Sequence, residues 1–392
     1  AEAVERAGLL LITGERWEPG VDALLAAAEA RAAESAYQRV GELLEVVEAT
    51  IRRGALEPTC PRVGRTLVMR ARLNQMQGDL DGCEELLHEA LGVDDPRWDL
   101  IQAEATGVMG SVARLRSRWD EARLLLEEAL LGISVEHPLL RARVLHNLAM
   151  IERRTGQHAP AALYYGDAGA CYLLAGDRLG AARCEQGLGF IANDRGDHRA
   201  ARRIFESLLP ILEELGERIA LAATIDGLAE ARMAAGDLVE AGAGHLRAWT
   251  MMEETGSPAA FISALNYVLV LLLQRDFREA ELVLQAIEQA VRQPAFLTWR
   301  AQYLVYQLAC DAARSDWAAW DEHHAEVVAA LSSRPPSPTD VGRAAEVAGR
   351  RAADSGDAER AKQALDLART MWRMAGDEDA LAALDEDLAT GH

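Results

Sequence analysis

The chain has 392 residues, half of them apolar, with 31 glycines and 12 prolines, a composition that permits extensive burial and excludes a disordered polymer. Its 62 acidic against 41 basic side chains leave a formal net charge of -21, a field that repels phosphate backbones and anionic lipid, so nucleic acid and membrane surfaces are excluded as general partners. Five scattered cysteines without a C-x-x-C pair fit reduced thiols and a cytoplasmic setting, and a single lysine, Lys362, removes lysine chemistry almost everywhere.

No signal peptide opens the chain, and the most apolar run, Phe261 to Leu273, is too short to span a bilayer. A chain numbered from Ala1 rather than Met is read as a region of something longer. Residues 2-12 and 20-34 carry amphipathic periodicity, separated by a segment in which Pro19 and Gly20 interrupt the helical period. A long helix over about 36-53 ends at Gly54 and the Pro58 to Pro61 loop. Residues 1-62 are therefore read as capping helices and a degenerate first hairpin.

From Val63 the pattern is regular, with paired helices predicted at 63-77 and 80-92, 97-116 and 119-132, 138-155 and 158-175, and 178-195 and 198-215. It continues at 218-235 and 238-255, 258-274 and 277-292, 295-314 and 317-332, and 339-355 and 358-375. The turns fall at Gly78, Ser117, Gly156, Gly196, Gly236, Arg275, Ser315 and Gly356, spaced 39 to 41 residues apart. A period in that range specifies stacked helical hairpins. The one proline-rich interruption, Arg334 to Pro338, is too short for a domain linker. A last helix near 377-389 closes the array, so 63-375 is one continuous repeat region and 376-392 a capping helix and tail.

Alignment on the turns shows why the helices need one another. Five residues after the turn stand Cys83, Ala122, Ala161, Ala201, Ala241, Ala280, Trp320 and Ala361; seven before it stand Ala71, Gly110, Ala149, Gly189, Ala229, Val268, Leu308 and Gly349. The small residues among them allow close backbone approach. Four positions beyond the first set, Leu87, Leu126, Tyr165, Phe205, Leu284 and Leu365 fall one turn along the same face, and His245 and His324 break that series.

Turn, bulky residue, two spacers, Ala, three spacers, bulky residue resembles the second half of the tetratricopeptide repeat signature; Ser117 to Ala122 and Arg275 to Ala280 are good copies. The resemblance covers about 63-375, with a period near 40 instead of the family's 34. It implies an all-α, right-handed superhelical solenoid of about nine helix-turn-helix repeats. More narrowly, the long units and the Arg-rich, Lys-poor composition resemble C-terminal repeat regions of large bacterial signalling proteins, multidomain Ser/Thr kinases and STAND-type ATPase regulators.

Chemical motifs are sparse. A P-loop needs a Gly-Lys pair that this chain lacks. Gly187 to Ala192 fits G-x-G-x-x-A, but no strand precedes it and Gly189 occupies the small helix-packing position. Asp321-Glu322-His323-His324 suggests metal ligands, yet adjacent helical residues diverge by about 100 degrees, and a solvated or interfacial helix face is the competing reading. No cofactor or metal is expected, and no nucleophile motif points to an enzyme.

The resemblance implies that the first helix of each hairpin lines a concave groove, through positions thirteen, ten, nine, six and three residues before the turn. Those positions hold Arg65, Arg72 and Gln75; Glu104, Ser111 and Arg114; Arg143, His146, Asn147 and Arg153; then Arg183, Gln186 and Asn193. Arginine forks there suit the carboxylates of an acidic peptide or chain terminus; pairing with neighbouring Glu and Asp is the alternative. The family's two-carboxylate clamp is matched only by Asn147, so that specificity is not carried over. Further on, the positions turn acidic at Asp226 and Glu230, then apolar at Ile262, Leu265, Leu269, Leu272 and Val305. Either that stretch is a hydrophobic pocket for a partner or the chain buries it against itself.

The expected function is a non-catalytic scaffold or sensory module of a cytoplasmic bacterial signalling protein, binding a protein or peptide along the groove. A kinase or ATPase, attached or separate, is the expected effector. The alternative is a small-molecule sensor whose ligand closes the superhelix and controls that effector.

Overall fold

The computed structural model describes residues 1–33, 36–331 and 337–390. Among them are twenty α-helices and two short 3-10 helices, with no strand. The chain forms two compact units, Ala1–Ile191 and Ala192–His392, a division the repeat register does not announce.

Unit 1 opens with α1 (Glu2–Thr13), α2 (Trp17–Ala33) and α3 (Tyr37–Arg52). Contrary to the sequence reading, Pro19 and Gly20 lie inside α2. Pro19 sits in the first helical turn, where a missing N–H forfeits no hydrogen bond. Gly20 lets α1 approach, since a Cβ there would meet Ile12 Cδ1 at 2.7 Å. Glu5, buried on α1, is paired with Arg31 at 3.4 Å and with Arg39, which ties the three helices together.

The hairpins of unit 1 are α4 (Pro61–Gln77) with α5 (Leu80–Leu91), α6 (Asp99–Leu115) with α7 (Trp119–Gly132), and α8 (Pro138–Arg154) with α9 (His158–Leu174). The division between units falls inside α10 (Arg178–Asp194). Unit 2 continues with α11 (His198–Leu215), α12 (Arg218–Ala234), α13 (Leu238–Glu254), α14 (Ala260–Leu273) and α15 (Phe277–Val291). It ends with α16 (Arg300–Arg314), α17 (Trp317–Ala330), α18 (Pro338–Asp354), α19 (Ala358–Ala375) and α20 (Glu378–Thr390). Two helix starts expected near 97 and 295 are 3-10 turns, Pro96–Trp98 and Pro294–Trp299. The proline-rich segment and the tail fall largely on 332–336 and 391–392, outside the described residues; Ser337 caps α18 through Asp340 N.

All eight predicted turn residues have positive φ, including the non-glycines Ser117, Arg275 and Ser315 at 58°, 62° and 57°. The aspartate that follows several of them caps the next helix: Asp79, Asp197, Asp276, Asp316 and Asp357 each accept from a backbone N–H three residues on. Such a cap is worth about 1 kcal/mol. The small-residue positions are buried without exception, from Ala71 and Cys83 to Gly349 and Ala361. A Cβ on Gly110 would meet Leu126 Cγ at 2.7 Å and the Ala122 carbonyl at 3.2 Å, and one on Gly349 would meet Leu365 Cγ at 2.6 Å.

Gly110→Ala gains up to ~1 kcal/mol of helix propensity but overpacks the hairpin by about 1–3 kcal/mol, so it should lower the urea-unfolding midpoint. Gly166→Ala, in α9 with nothing within 4 Å of the new methyl, should raise it; matching shifts in the two variants would refute the packing account. Separately, His323 Nδ1 lies 2.7 Å from Oδ2 of the fully buried Asp311, and that hydrogen bond raises the imidazole pKa. The pair therefore stabilises fully below the unfolded histidine value of about 6.5, and its contribution is lost as pH rises through the raised folded value. Urea midpoints should fall between about pH 6 and about pH 8, and His323→Gln should flatten the slope; an unchanged slope in the variant would remove His323 as its source.

Candidate functional site

In unit 1 the first helices of successive hairpins turn their non-packing faces toward one cavity of about 300 Å³. α4 contributes Arg72 and Gln75, α6 contributes Glu104, Gly107, Val108 and Ser111, α8 contributes Arg143, Val144 and Asn147, and α10 contributes Arg183. All of these but Val144 follow the predicted groove register, late on α4, central on α6 and early on α8 and α10, so the cavity runs obliquely across the helices. Ile133 and Leu140, from the connection into α8 and its start, close an apolar wall.

Glu104 is the single carboxylate among the described lining residues, and two guanidiniums share it: Arg72 at 3.5 Å and Arg143 at 3.9 Å. Among the described residues Arg114 has no carboxylate partner; its Nε donates to Asn147 Oδ1 at 2.9 Å, while Asn147 Nδ2 donates to the Arg143 carbonyl at 2.8 Å. Gln75 Nε2 donates to Ser111 Oγ at 2.9 Å. Burial, then the nearby Arg72 charge, pushes Arg143 down to about 10, against the opposing pull of Glu104. Burial also lowers Arg114. Guanidinium groups held this way, with more positive than negative charge in a partly desolvated recess, gain most from an entering anion.

The remaining polar candidates do not join this recess. His146 turns into a pocket of its own, edge-on to Tyr165 and Tyr172 with Nδ1 3.4 Å from Cys184 Sγ. Burial drives its pKa down to about 4 and the Cys184 thiol up to about 12. Arg65 is 3.6 Å from Asp22, and Arg153 lies over the Phe190 ring, 4.9 Å from its centroid. Gln186 is half-buried on α10. Asn193 belongs to unit 2, is buried, and donates to the Gly227 carbonyl at 2.9 Å and to Glu230 at 3.2 Å. Sequence spacing placed these residues on the right helices, but aromatic neighbours and local partners decided where each side chain went.

The apolar candidates lie within the core of unit 2. Leu265, Leu269, Leu272 and Val305 have no exposed surface, and Ile262 is half-buried against the same cluster. The pocket reading is thus replaced by self-burial for Leu265, Leu269 and Val305, because α14 is largely apolar and packs against neighbouring helices, whereas Leu272 also borders a cavity of unit 2. Gly187 lies beneath the Tyr165 ring, with its absent Cβ only 2.4 Å from Cζ, which accounts for the G-x-G pattern by packing. Asp321 pairs with Arg360 at 2.7 Å and His323 with Asp311, so the acidic-histidine run faces two different ways. Repeat departures show where unit 2 is polar inside: fully buried His245 lies 2.8 Å from Asp226, to which Asn266 also donates at 3.1 Å.

No family model and no curated protein matches the chain. Solved structures do share its fold. A Rap protein complexed with competence and sporulation factor aligns at TM-score 0.65 and 14% identity over 95% of this chain and 99% of that one. NprR in complex with its cognate peptide NprX aligns at 0.60 and 13%, over 91% and 99%. A signal transduction ATPase with numerous domains, carrying a tetratricopeptide repeat sensor, from Pyrococcus horikoshii aligns at 0.57 and 12%, over 84% and 52%. Aspartyl phosphate phosphatase F from Bacillus subtilis also aligns, at 0.54 and 12%, over 90% and 93%. At these identities the likeness concerns the fold alone: the chain has an all-α helical-repeat architecture that resembles tetratricopeptide arrays.

Proposed function

We propose that this chain is a regulatory module that binds a peptide or protein segment through its carboxylates in the recess of unit 1. The observation that carries this reading is the sharing of one carboxylate, Glu104, by Arg72 and Arg143 beside Arg114, against walls of Val108, Leu140 and Val144. An incoming carboxylate would take the guanidinium hydrogen bonds that Glu104 leaves unfilled, and the apolar walls would accept an adjacent side chain. A fold shared with NprR bound to its cognate peptide supports the same reading.

The role is non-catalytic in this proposal. The approach of His146 to Cys184 has the ionisation states opposite to those of an activated nucleophile, a neutral thiol beside an unprotonated imidazole. A cytoplasmic setting with a kinase or ATPase, attached or separate, as effector completes the reading; among the described residues no helix is long and apolar enough to cross a membrane. A small-molecule sensor is the second reading, favoured by a recess whose volume reaches the lower end of the range for ligand pockets.

Fluorescence anisotropy with labelled hexapeptides, ending in Asp-Glu-Leu as free acids and in Asn-Gln-Leu as C-terminal amides so that the amides carry no carboxylate, tests the proposal. Arg143→Gln should weaken binding of the free acid by about tenfold or more, and Glu104→Gln, which removes the competing carboxylate, should strengthen it. Raising salt from about 0.05 to about 0.5 M should weaken binding severalfold. Equal affinity of acids and amides, or indifference to both substitutions, would reject carboxylate recognition in this recess.

A further inference from the structure

Unit 2 has its own cavity, of about 240 Å³, where the turn between α14 and α15 faces α18. Its walls combine the half-buried apolar side chains Leu273, Phe277 and Val347 with four guanidiniums, Arg275, Arg343, Arg350 and Arg351. Two carboxylates line it, and both are engaged. Glu346 accepts from Trp372 Nε1 at 2.5 Å and pairs with Arg350 at 3.3 Å, and Asp354 lies 4.0 Å from Arg351. Arg350 is held again by Asp387 at 2.8 Å.

That leaves positive charge over. Among the described residues the side chains of Arg275 and Arg343 make no hydrogen bond or ion pair, and Arg351 Nε is buried without a partner. The field of Arg343 is felt around it: after burial, it is the next cause lowering the pKa of His198, and it acts on the carboxyl of Asp340. Arg275 stands at φ 62°, a left-handed position held by glycine in five of the eight hairpin turns. An L-side chain costs about 1–2 kcal/mol there, and among the described residues no hydrogen bond or ion pair of the Arg275 side chain offsets it. Unfilled guanidinium donors beside apolar walls describe the complement of an anionic head on an apolar body.

We propose that this cavity binds a compact organic anion, a single carboxylate or phosphate head group bearing a short apolar substituent, with Arg343 and Arg275 taking the head and Phe277 and Val347 the body. This goes beyond the peptide reading and does not rest on it, since every residue involved belongs to unit 2. A free acid and a phosphate monoester share the head-group chemistry that the arginines recognise, so the probes separate them.

Isothermal titration of the full chain at constant ionic strength, with N-acetyl-leucine, N-acetyl-leucinamide, isobutyl phosphate and inorganic phosphate, is the test. The expected result is one site for N-acetyl-leucine or isobutyl phosphate, whichever head fits better, with the amide silent and inorganic phosphate weaker than its isobutyl ester. Arg343→Gln should weaken that binding by about tenfold or more. Arg275→Asn, which tolerates the left-handed turn, should weaken it as well, so a folding defect in one variant does not decide the matter. Absence of binding by every anion, equal binding of the amide, or loss in Arg143→Gln with none in Arg343→Gln and Arg275→Asn would overturn the assignment.

Discussion

Everything in this protein depends on how closely the two helices of each hairpin approach. In most hairpins the helices meet at a small residue seven before the turn and another five after it, and a large residue four further on fills the space between them. Gly110 under Leu126 and Gly349 under Leu365 show the tolerance, since a single added methyl would have to displace its neighbour. The turn serves that contact: a left-handed residue ends one helix and an aspartate often caps the next, so the reversal takes few residues and satisfies the backbone groups left open at both ends.

Using one face of each first helix for this contact leaves the opposite face available. In unit 1 that face holds arginines, with one carboxylate between two of them. Over the whole chain the charge is strongly negative, but distant charges are screened over about 10 Å, so an entering carboxylate responds to Arg72, Arg114 and Arg143 and little to the acidic exterior. Desolvation of Arg143 raises the gain when a counter-charge arrives.

Unit 2 uses the same repeat differently. Where unit 1 has Leu87, Leu126 and Tyr165 in the filling position, unit 2 has Phe205, Leu284 and Leu365 but also His245, which is fully buried and satisfied on one side by Asp226. Its Nε2 and the Oε1 of the fully buried Gln302 lack partners among the described residues. A polar group in such a place costs stability unless something bonds to it, so these departures mark where unit 2 is organised by more than apolar packing. At Trp320 the small position is occupied by an indole, fully buried and edge-on to Trp317, while Arg360 lies over the Trp317 ring.

Helix content, hairpin register, the eight turns and the buried small positions were legible in the sequence because each is set by residues near one another in the chain. Even so, only half of the turn pattern was read. Gly176, Gly216 and Gly256 share the left-handed conformation with Gly156, Gly196 and Gly236, so glycines recur every 20 residues and close both kinds of connection in mid-chain. The groove register located Arg72, Arg143, Asn147 and Arg183 around one recess. It misplaced His146, which an aromatic pair draws aside, and Leu265, Leu269, Leu272 and Val305, which neighbouring helices cover. Periodicity says which side of a helix a residue occupies; whether that side meets solvent, a partner or another helix depends on elements tens of residues away. The division within α10, the carboxylate shared by Arg72 and Arg143, and the meeting of Arg275 from the α14–α15 turn with Arg343 of α18 at one cavity are of that kind, and only the tertiary structure decided them.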